Sequence, residues 1–287
     1  VAKRQRKYRI EIENVFGAIV TIEPPFTIEF EIEKAVQSVV SSGEITIYNL
    51  GESTRSALYK DLIQVSTFRK VAFYAGYETD STLACVFSGT VAQCYSLRHG
   101  VDFLTTIVFN SGSEFLFNSK ANELIPSGTT FKEAATGLAL KIVKPGSVFI
   151  GNFPTKFKRD TPLFGDIEKV VSELTKGSFF IDNDQVFCIS DDEYISGVVN
   201  LINSESGLLG SPQVEETFIT FDMIFEPRLM MYQKIELQSE TNKFFSGTYR
   251  VVSMHHTGMI SESMCGEAKT SVRVQQLGIG SNEVLPQ

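Results

Sequence analysis

Three histidines, two clusters of carboxylates and four cysteines are the residues through which this 287-residue chain could do chemistry. His255 and His256 are adjacent. Neighbouring side chains on a strand point to opposite faces, so this pair does not close on one metal ion as an i, i+4 helical pair does. His99 precedes Gly100 in a predicted turn, where histidine is ordinarily solvated. Asp191-Asp192-Glu193 and Glu215-Glu216 offer the two carboxylates that glycoside hydrolysis needs, but both clusters sit beside turn residues and are expected to be solvated. Cys85, Cys94, Cys188 and Cys265 lack any Cys-x-x-Cys spacing, which argues against a zinc site and a disulfide framework. They are expected as free thiols used as small hydrophobes, a Cys85–Cys94 bridge across a bend at Gly89 being the alternative. The chain has no Gly-x-Ser-x-Gly elbow, no phosphate-binding loop and no His-Glu-x-x-His. Its 23 phenylalanines and absent tryptophan favour core filling over a sugar-stacking platform. The expectation is no catalytic residue, no metal and no cofactor.

The elements that would carry these residues are mostly strands. Tyr8, Ile10 and Ile12 alternate with Arg9, Glu11 and Glu13, and Ile28, Phe30 and Ile32 with Glu29, Glu31 and Glu33, the pattern of strands wet on one face. Further strands are predicted near 18–23, 43–49, 70–77, 83–88, 90–97 and 103–110, with one short helix capped by Ser53 or Thr54. Strands at this spacing suggest a barrel or a strongly curved sheet.

After Ser111 the period changes. Thr130 and Glu133 have capping-box spacing ahead of a stripe of Phe131, Ala134, Ala135, Leu138 and Ile142. A second helix is expected with Thr161 as cap, Pro162 in its first position, Leu163, Ile167, Val170, Val171 and Leu174 as its apolar face, and Gly177 as its stop. Asp182-Asn183-Asp184 then reads as a hairpin turn between Phe179–Ile181 and Val186–Ile189. Beyond a turn-rich join at 207–212, strands are expected at 218–225, 234–238, 247–253 and 269–276. The fold class is therefore mainly β with an α/β insertion: two barrel-like β domains, 1–111 and 207–287, flanking a small α/β domain at 112–206.

With 43% hydrophobic and 21% charged residues the composition is that of ordinary folded domains, and the length asks for two or three of them. No apolar run approaches the roughly 20 residues that cross a bilayer, and the basic start leads into Ile10-Glu11-Ile12-Glu13 rather than an apolar signal core, so no membrane anchor is expected. The net charge of −8 is unevenly spread: Lys3, Arg4, Arg6, Lys7 and Arg9 carry +5, leaving −13 on the rest. So acidic a body disfavours a nucleic-acid-binding module. The basic stretch is either a solvated tail or an arm that orders by docking on an acidic partner.

Several short motifs resemble one family in order and spacing. Ile47-Tyr48-Asn49-Leu50 before a small helix, Ala75-Gly76-Tyr77 ending a strand, Val86-Phe87-Ser88-Gly89-Thr90-Val91 and Gly100-Val101-Asp102 occupy the first half. Asn183-Asp184-Gln185-Val186, Gly207-Leu208-Leu209-Gly210-Ser211-Pro212, Phe225-Glu226-Pro227-Arg228-Leu229, Gly247-Thr248-Tyr249-Arg250-Val251 and His255-His256-Thr257-Gly258 follow. Together these resemble the baseplate hub proteins of contractile-tailed phages. The chain departs from that pattern at Met230-Met231-Tyr232, where many relatives place a glycine, and in lacking a tryptophan after the His-Gly segment.

The resemblance implies a non-enzymatic virion protein of the tail baseplate, made in the bacterial cytoplasm. It implies a homotrimer that joins the hexameric tail tube to the trimeric spike beside other baseplate proteins, with tape-measure protein and DNA passing through its channel unbound. Glu29, Glu31 and Glu33 are the candidates for the channel wall, and Lys3, Arg4, Arg6, Lys7 and Arg9 for a partner-docking arm. The competing classes are a tail-associated cell-wall hydrolase, which would carry an added enzymatic domain, and a receptor-binding adhesin, which would expose long loops.

Overall fold

The computed structural model describes residues 5–36, 40–63, 67–143, 147–176, 179–215, 217–241, 243–262, 266–278 and 280–287. Lys3, Arg4, Gly177, Glu216 and Cys265 lie outside the described residues.

The first segment is β1 (Arg6–Glu13), β2 (Ile19–Ile22), β3 (Ile28–Ala35), β4 (Ser42–Tyr48), α1 (Glu52–Leu58), β5 (Lys70–Tyr77), β6 (Ala84–His99) and β7 (Asp102–Asn110). Its alternating apolar residues do what period two requires: Ile10, Ile12, Ile28, Phe30, Ile32, Ile45, Ile47, Phe73, Phe87 and Phe109 share one buried core. Two local expectations are corrected. The N-cap of α1 is Gly51, with no side-chain cap from Ser53 or Thr54. There is no bend at Gly89, and β6 runs through it, with bulges at Val86 against β5 and between Val91 and Gln93 against β7. The glycine serves close packing instead, since a Cβ there would lie 2.4 Å from the carbonyl oxygen of Asn110. Cys85 and Cys94 therefore sit on one strand as free thiols, and burial pushes both up to about 11.

The middle segment holds α2 (Ser113–Asn118), β8 (Lys120–Ile125), α3 (Phe131–Ala139), β9 (Val148–Ile150), β10 (Thr161–Asp166), α4 (Ile167–Leu174), β11 (Phe179–Asp182), β12 (Gln185–Cys188), β13 (Glu193–Tyr194) and β14 (Leu201–Ile202). The capping box forms: Glu133 N–H donates to Thr130 Oγ1 at 3.1 Å and Thr130 N–H to Glu133 Oε2 at 2.7 Å. The second helix begins later than its sequence suggests. Thr161 and Pro162 belong to β10, which pairs with β8 in a two-stranded ribbon where proline's missing donor is tolerated. Asp166 then precedes α4, and its carboxylate is held by Lys120 and by Lys169 at 3.1 Å. The turn at Asn183-Asp184, both at positive φ, closes β11 on β12. β9, β11 and β12 are buried on both faces, Ile150, Ile181 and Val186 entering one core and Phe149, Phe180 and Phe187 another.

The last segment contains β15 (Leu208–Glu215), β16 (Phe218–Ile224), β17 (Lys234–Leu237), a 3-10 turn (Lys243–Phe245), β18 (Gly247–Ile260), β19 (Ala268–Gln276) and β20 (Asn282–Glu283). The join expected at 207–212 is largely strand: β15 takes it up with a bulge between Leu209 and Gln213. β18 outruns its expected end at Ser253 because His255-His256-Thr257-Gly258 continue the pairing with both β19 and β3.

That last pairing fixes the architecture. The β segments at the two ends of the chain join in one 13-stranded sheet, running β15-β16-β19-β18-β3-β4-β7-β6-β5-β1-β2, with β17 and β14 branching from β18. Among the described residues the path does not close into a hydrogen-bonded barrel, but it curls. Arg6 Nη1 of β1 donates to the carbonyl of Gly266 at 2.6 Å, and the Tyr77 hydroxyl to that of Phe225 at 2.6 Å. Phe225 enters the first core and meets the Phe30 ring at 5.1 Å between centroids.

Candidate functional site

The alternation of β3 puts Ile28, Phe30 and Ile32 in the core and Glu29, Glu31 and Glu33 on the opposite, solvent-facing side. Each glutamate has a defined setting. Glu29 Oε1 accepts from the Tyr48 hydroxyl at 2.7 Å, and this bond, with burial second, pushes the tyrosine up to about 12. Glu31 lies 3.0 Å from His255 Nε2 and directly opposite Glu44 of β4. Glu33 is opposite His255. Glu29 and Glu31, with Glu44 and Glu267, border a shallow depression of about 340 Å³ over Phe30, Thr46, Gly258 and Met259. Such a face can repel anions or attract cations, and it presents no nucleophile.

On the buried side of the same strand the structure places something the sequence did not announce. Lys34 forms an ion pair with Asp182 of β11 at 2.9 Å, Ser41 Oγ donates to that carboxylate at 2.9 Å, and Ser111 Oγ donates to the Ile181 carbonyl at 2.9 Å. These bonds pin the α/β segment to the first β segment. Nearby His256 is fully buried, its Nδ1 2.9 Å from Thr270 Oγ1. Burial, then the Lys34 and His255 charges, pull it down to about 3, so the ring is neutral. The two adjacent histidines thus face opposite ways, His255 half-buried beside Glu31 and His256 sealed in the sheet. His99 is exposed as the last residue of β6, opposite Asp102, and the turn begins at Gly100.

The carboxylates at 191–193 need a correction. Glu193 is buried: Oε1 accepts from Asn152 N–H at 2.7 Å and Oε2 from Ser190 N–H at 3.0 Å, while Gly151 leaves room for the carboxylate. Buried Arg250 fastens this turn to β18, donating to the carbonyls of Glu193 at 2.9 Å and of Ser190, and to Asp191 at 3.0 Å. Glu193 is thus a structural pin rather than a solvated carboxylate, whereas Asp191 and Asp192 are exposed. Arg250 gave no signal in the sequence beyond its place in a recognisable motif.

Part of the basic stretch lies within the sheet. Arg6, Lys7 and Arg9 belong to β1 and pair within the chain: Lys7 with Glu78 at 3.6 Å, and Arg9 with Glu11 at 2.9 Å and over the Tyr74 ring at 4.7 Å. Among the described residues no group of three His, Cys, Asp or Glu could hold a metal ion, and no helix is long and apolar enough to cross a membrane.

A family model described as Baseplate hub gp41 matches residues 9–257, spanning all three segments. The chain belongs to this baseplate hub family. No curated protein matches the sequence. Among solved structures, the baseplate hub chain is similar to a tail protein from Neisseria meningitidis MC58, at 10% identity and a TM-score of 0.61 over 96% of this chain and 99% of that one. It is similar to the 43 kDa tail protein of prophage MuSo2 from Shewanella oneidensis, at 9% identity and a TM-score of 0.55 over 93% and 98%. A third likeness, at 9% identity and a TM-score of 0.56 over 93% and 77%, is to an E. coli component of the type VI secretion system that itself resembles the T4 tail proteins gp27 and gp5. At these identities the likenesses establish the fold, a tail-protein fold. The baseplate hub is thus a β-rich structural protein of the phage tail.

Proposed function

We propose that this hub is a homotrimeric ring that joins the hexameric tail tube to the trimeric spike, and that tape-measure protein and then DNA pass through its channel without specific binding. The observation that carries the reading is the seam between the end segments. Eight consecutive register pairs, Ser253↔Ala35 to Ile260↔Ile28, fuse two β units into one rigid sheet. Three such subunits in a closed heterologous ring present six β units, the number a hexameric tube requires. The units have boundaries near 111 and 206. Glu29, Glu31 and Glu33 line the channel, where carboxylates keep a phosphate backbone from sticking. Lys3, Arg4, Arg6, Lys7 and Arg9 form the basic stretch that contacts a neighbouring baseplate protein. The chain works by shape and charge, without a catalytic step.

The deciding experiment counts copies and maps position in assembled tails by mass determination and cryo-electron microscopy. Three copies between tube and spike are expected, and one or two copies would overturn the reading. A purified chain that clears a peptidoglycan suspension, and loses this on Asp191→Asn or Asp192→Asn, would overturn its non-enzymatic part.

A further inference from the structure

The ribbon of β8 and β10 has one face on the α/β core and one in solvent, and its register says which residues share the solvent face. Ala121, Ile125 and Leu163 pack in the core. Lys120, Asn122 and Leu124 alternate with them along β8 and lie directly opposite Asp166, Phe164 and Pro162 of β10. Leu124 is 65% exposed and Phe164 66%, and Pro162 is exposed as well. These three form one apolar patch across two strands, of the kind that marks an interaction surface.

Charge frames the patch at both ends. At one end Lys120 and Lys169 share the single carboxylate of Asp166. At the other, the pair Leu124–Pro162 is one step from the turn after β8, which is tied to the loop before β10: Ser127 N–H donates to Asp160 Oδ1 at 2.9 Å and Gly128 N–H to the Phe157 carbonyl at 2.9 Å. That loop carries Lys156, Lys158 and Arg159, all exposed. Phe157 anchors it, buried against Phe131 at 4.8 Å between ring centroids. Among the described residues none of these three cations is in an ion pair, whereas Lys120, Lys141 and Lys169 of the same segment all are. Asp160 is taken by Ser127, and Glu133, which feels the Lys156 charge, is held by its cap on Thr130.

An apolar centre with uncompensated cations on its rim fits a protein surface that carries carboxylates around an apolar patch of its own. Nucleic acid is a poor match, because Leu124 and Pro162 offer a phosphate nothing and the chain as a whole stands at −8. So is a second copy, whose glutamates on β3 face the channel in the reading above. We propose that Leu124, Pro162 and Phe164, rimmed by Lys156, Lys158 and Arg159, are the docking surface for an acidic face of a neighbouring baseplate protein. This surface is separate from the basic stretch at residues 3–9, and its preference for a different protein over a second copy rests on the ring reading.

The test is photo-cross-linking in assembled tails, with p-benzoylphenylalanine in place of Phe164 in one preparation and of Leu124 in another, and mass spectrometry of the attached peptide. Attachment to another baseplate protein, at a peptide with more Asp and Glu than Lys and Arg, is expected. The yield is expected to fall about tenfold when Lys156→Glu, Lys158→Glu and Arg159→Glu are combined, and by less when the same three positions carry Lys156→Gln, Lys158→Gln and Arg159→Gln. Attachment to a second copy, to DNA or to a peptide without that acidic excess would overturn the docking surface. So would no attachment from either position, or a yield indifferent to both sets of substitutions. Copy number on the same tails tests the ring separately: three copies without the adduct defeat this surface and leave the ring, whereas any other count defeats the ring while the adduct still decides the surface.

Discussion

Lys34 and Asp182, 148 residues apart, form an ion pair at 2.9 Å with side chains only 3% and 7% exposed. It is the charged centre of the joint between the first β segment and the α/β segment. Breaking a buried pair from one side strands the other charge, so Lys34→Met alone is expected to cost about 3–5 kcal/mol. Lys34→Met with Asp182→Leu is expected to cost much less than either single change. Denaturant titration of the four proteins checks this cycle, and additive losses would contradict it.

His256 predicts a pH dependence. Its folded pKa, about 3, lies below the ordinary 6.5, so between these values the unfolded chain binds the extra proton and folding stability falls as pH falls. Above pH 6.5 the group contributes no slope. The effect is bounded by about 1.4 kcal/mol per pH unit inside the window. A His256→Gln variant is expected to be less stable at pH 7 but to lose less between pH 6.5 and 4 than the parent does. Equal losses in urea titrations at both pH values would refute the assignment.

Gly89→Ala puts a methyl group 2.4 Å from the Asn110 carbonyl oxygen and 2.9 Å from Ser111 Cα. Both are backbone, so neither can rotate away, and a loss of about 1–3 kcal/mol is expected. Gly137→Ala, in α3 with open space at its Cβ, is the control. It is expected to stabilise by up to about 1 kcal/mol from helix propensity.

Glu31 and Glu44 are like charges directly opposite each other across two strands. Glu44→Gln is expected to stabilise the isolated chain by about 0.2–1 kcal/mol, read from its thermal midpoint at low salt, with the gain shrinking as salt is added. If the face lines the channel, Glu31→Lys with Glu33→Lys slows DNA release from assembled tails while leaving the fold unchanged.

What could be read from the sequence was local. Ile28, Phe30 and Ile32 alternate with glutamates, Thr130 and Glu133 hold capping-box spacing, and Asn183-Asp184 takes the positive φ its hairpin needs. The errors came where distant partners overrode a local signal. Gly89 looked like a bend and serves a close approach to Asn110, and Pro162 looked like a helix start and lies in a ribbon whose partner strand is some forty residues earlier. Glu193 looked solvated because nothing nearby in sequence reveals that Arg250 and the Asn152 amide converge on its turn. The site followed the same rule. Which side of β3 carries the glutamates was legible, but the Lys34–Asp182 joint was not, because it depends on chain segments meeting from far apart.

The seam between β3 and β18 also sets a timetable for biosynthesis. β3 ends at Ala35 and its partner begins at Gly247, so at roughly 5–20 residues per second the ribosome takes on the order of 10–40 s to deliver the strand that covers it. Throughout that interval β3 is a nascent edge whose Ile28, Phe30 and Ile32 would template aggregation among neighbouring polysomes. Glu29, Glu31 and Glu33 stand between those residues in the chain, so the charges on the mature surface also act as gatekeepers during translation.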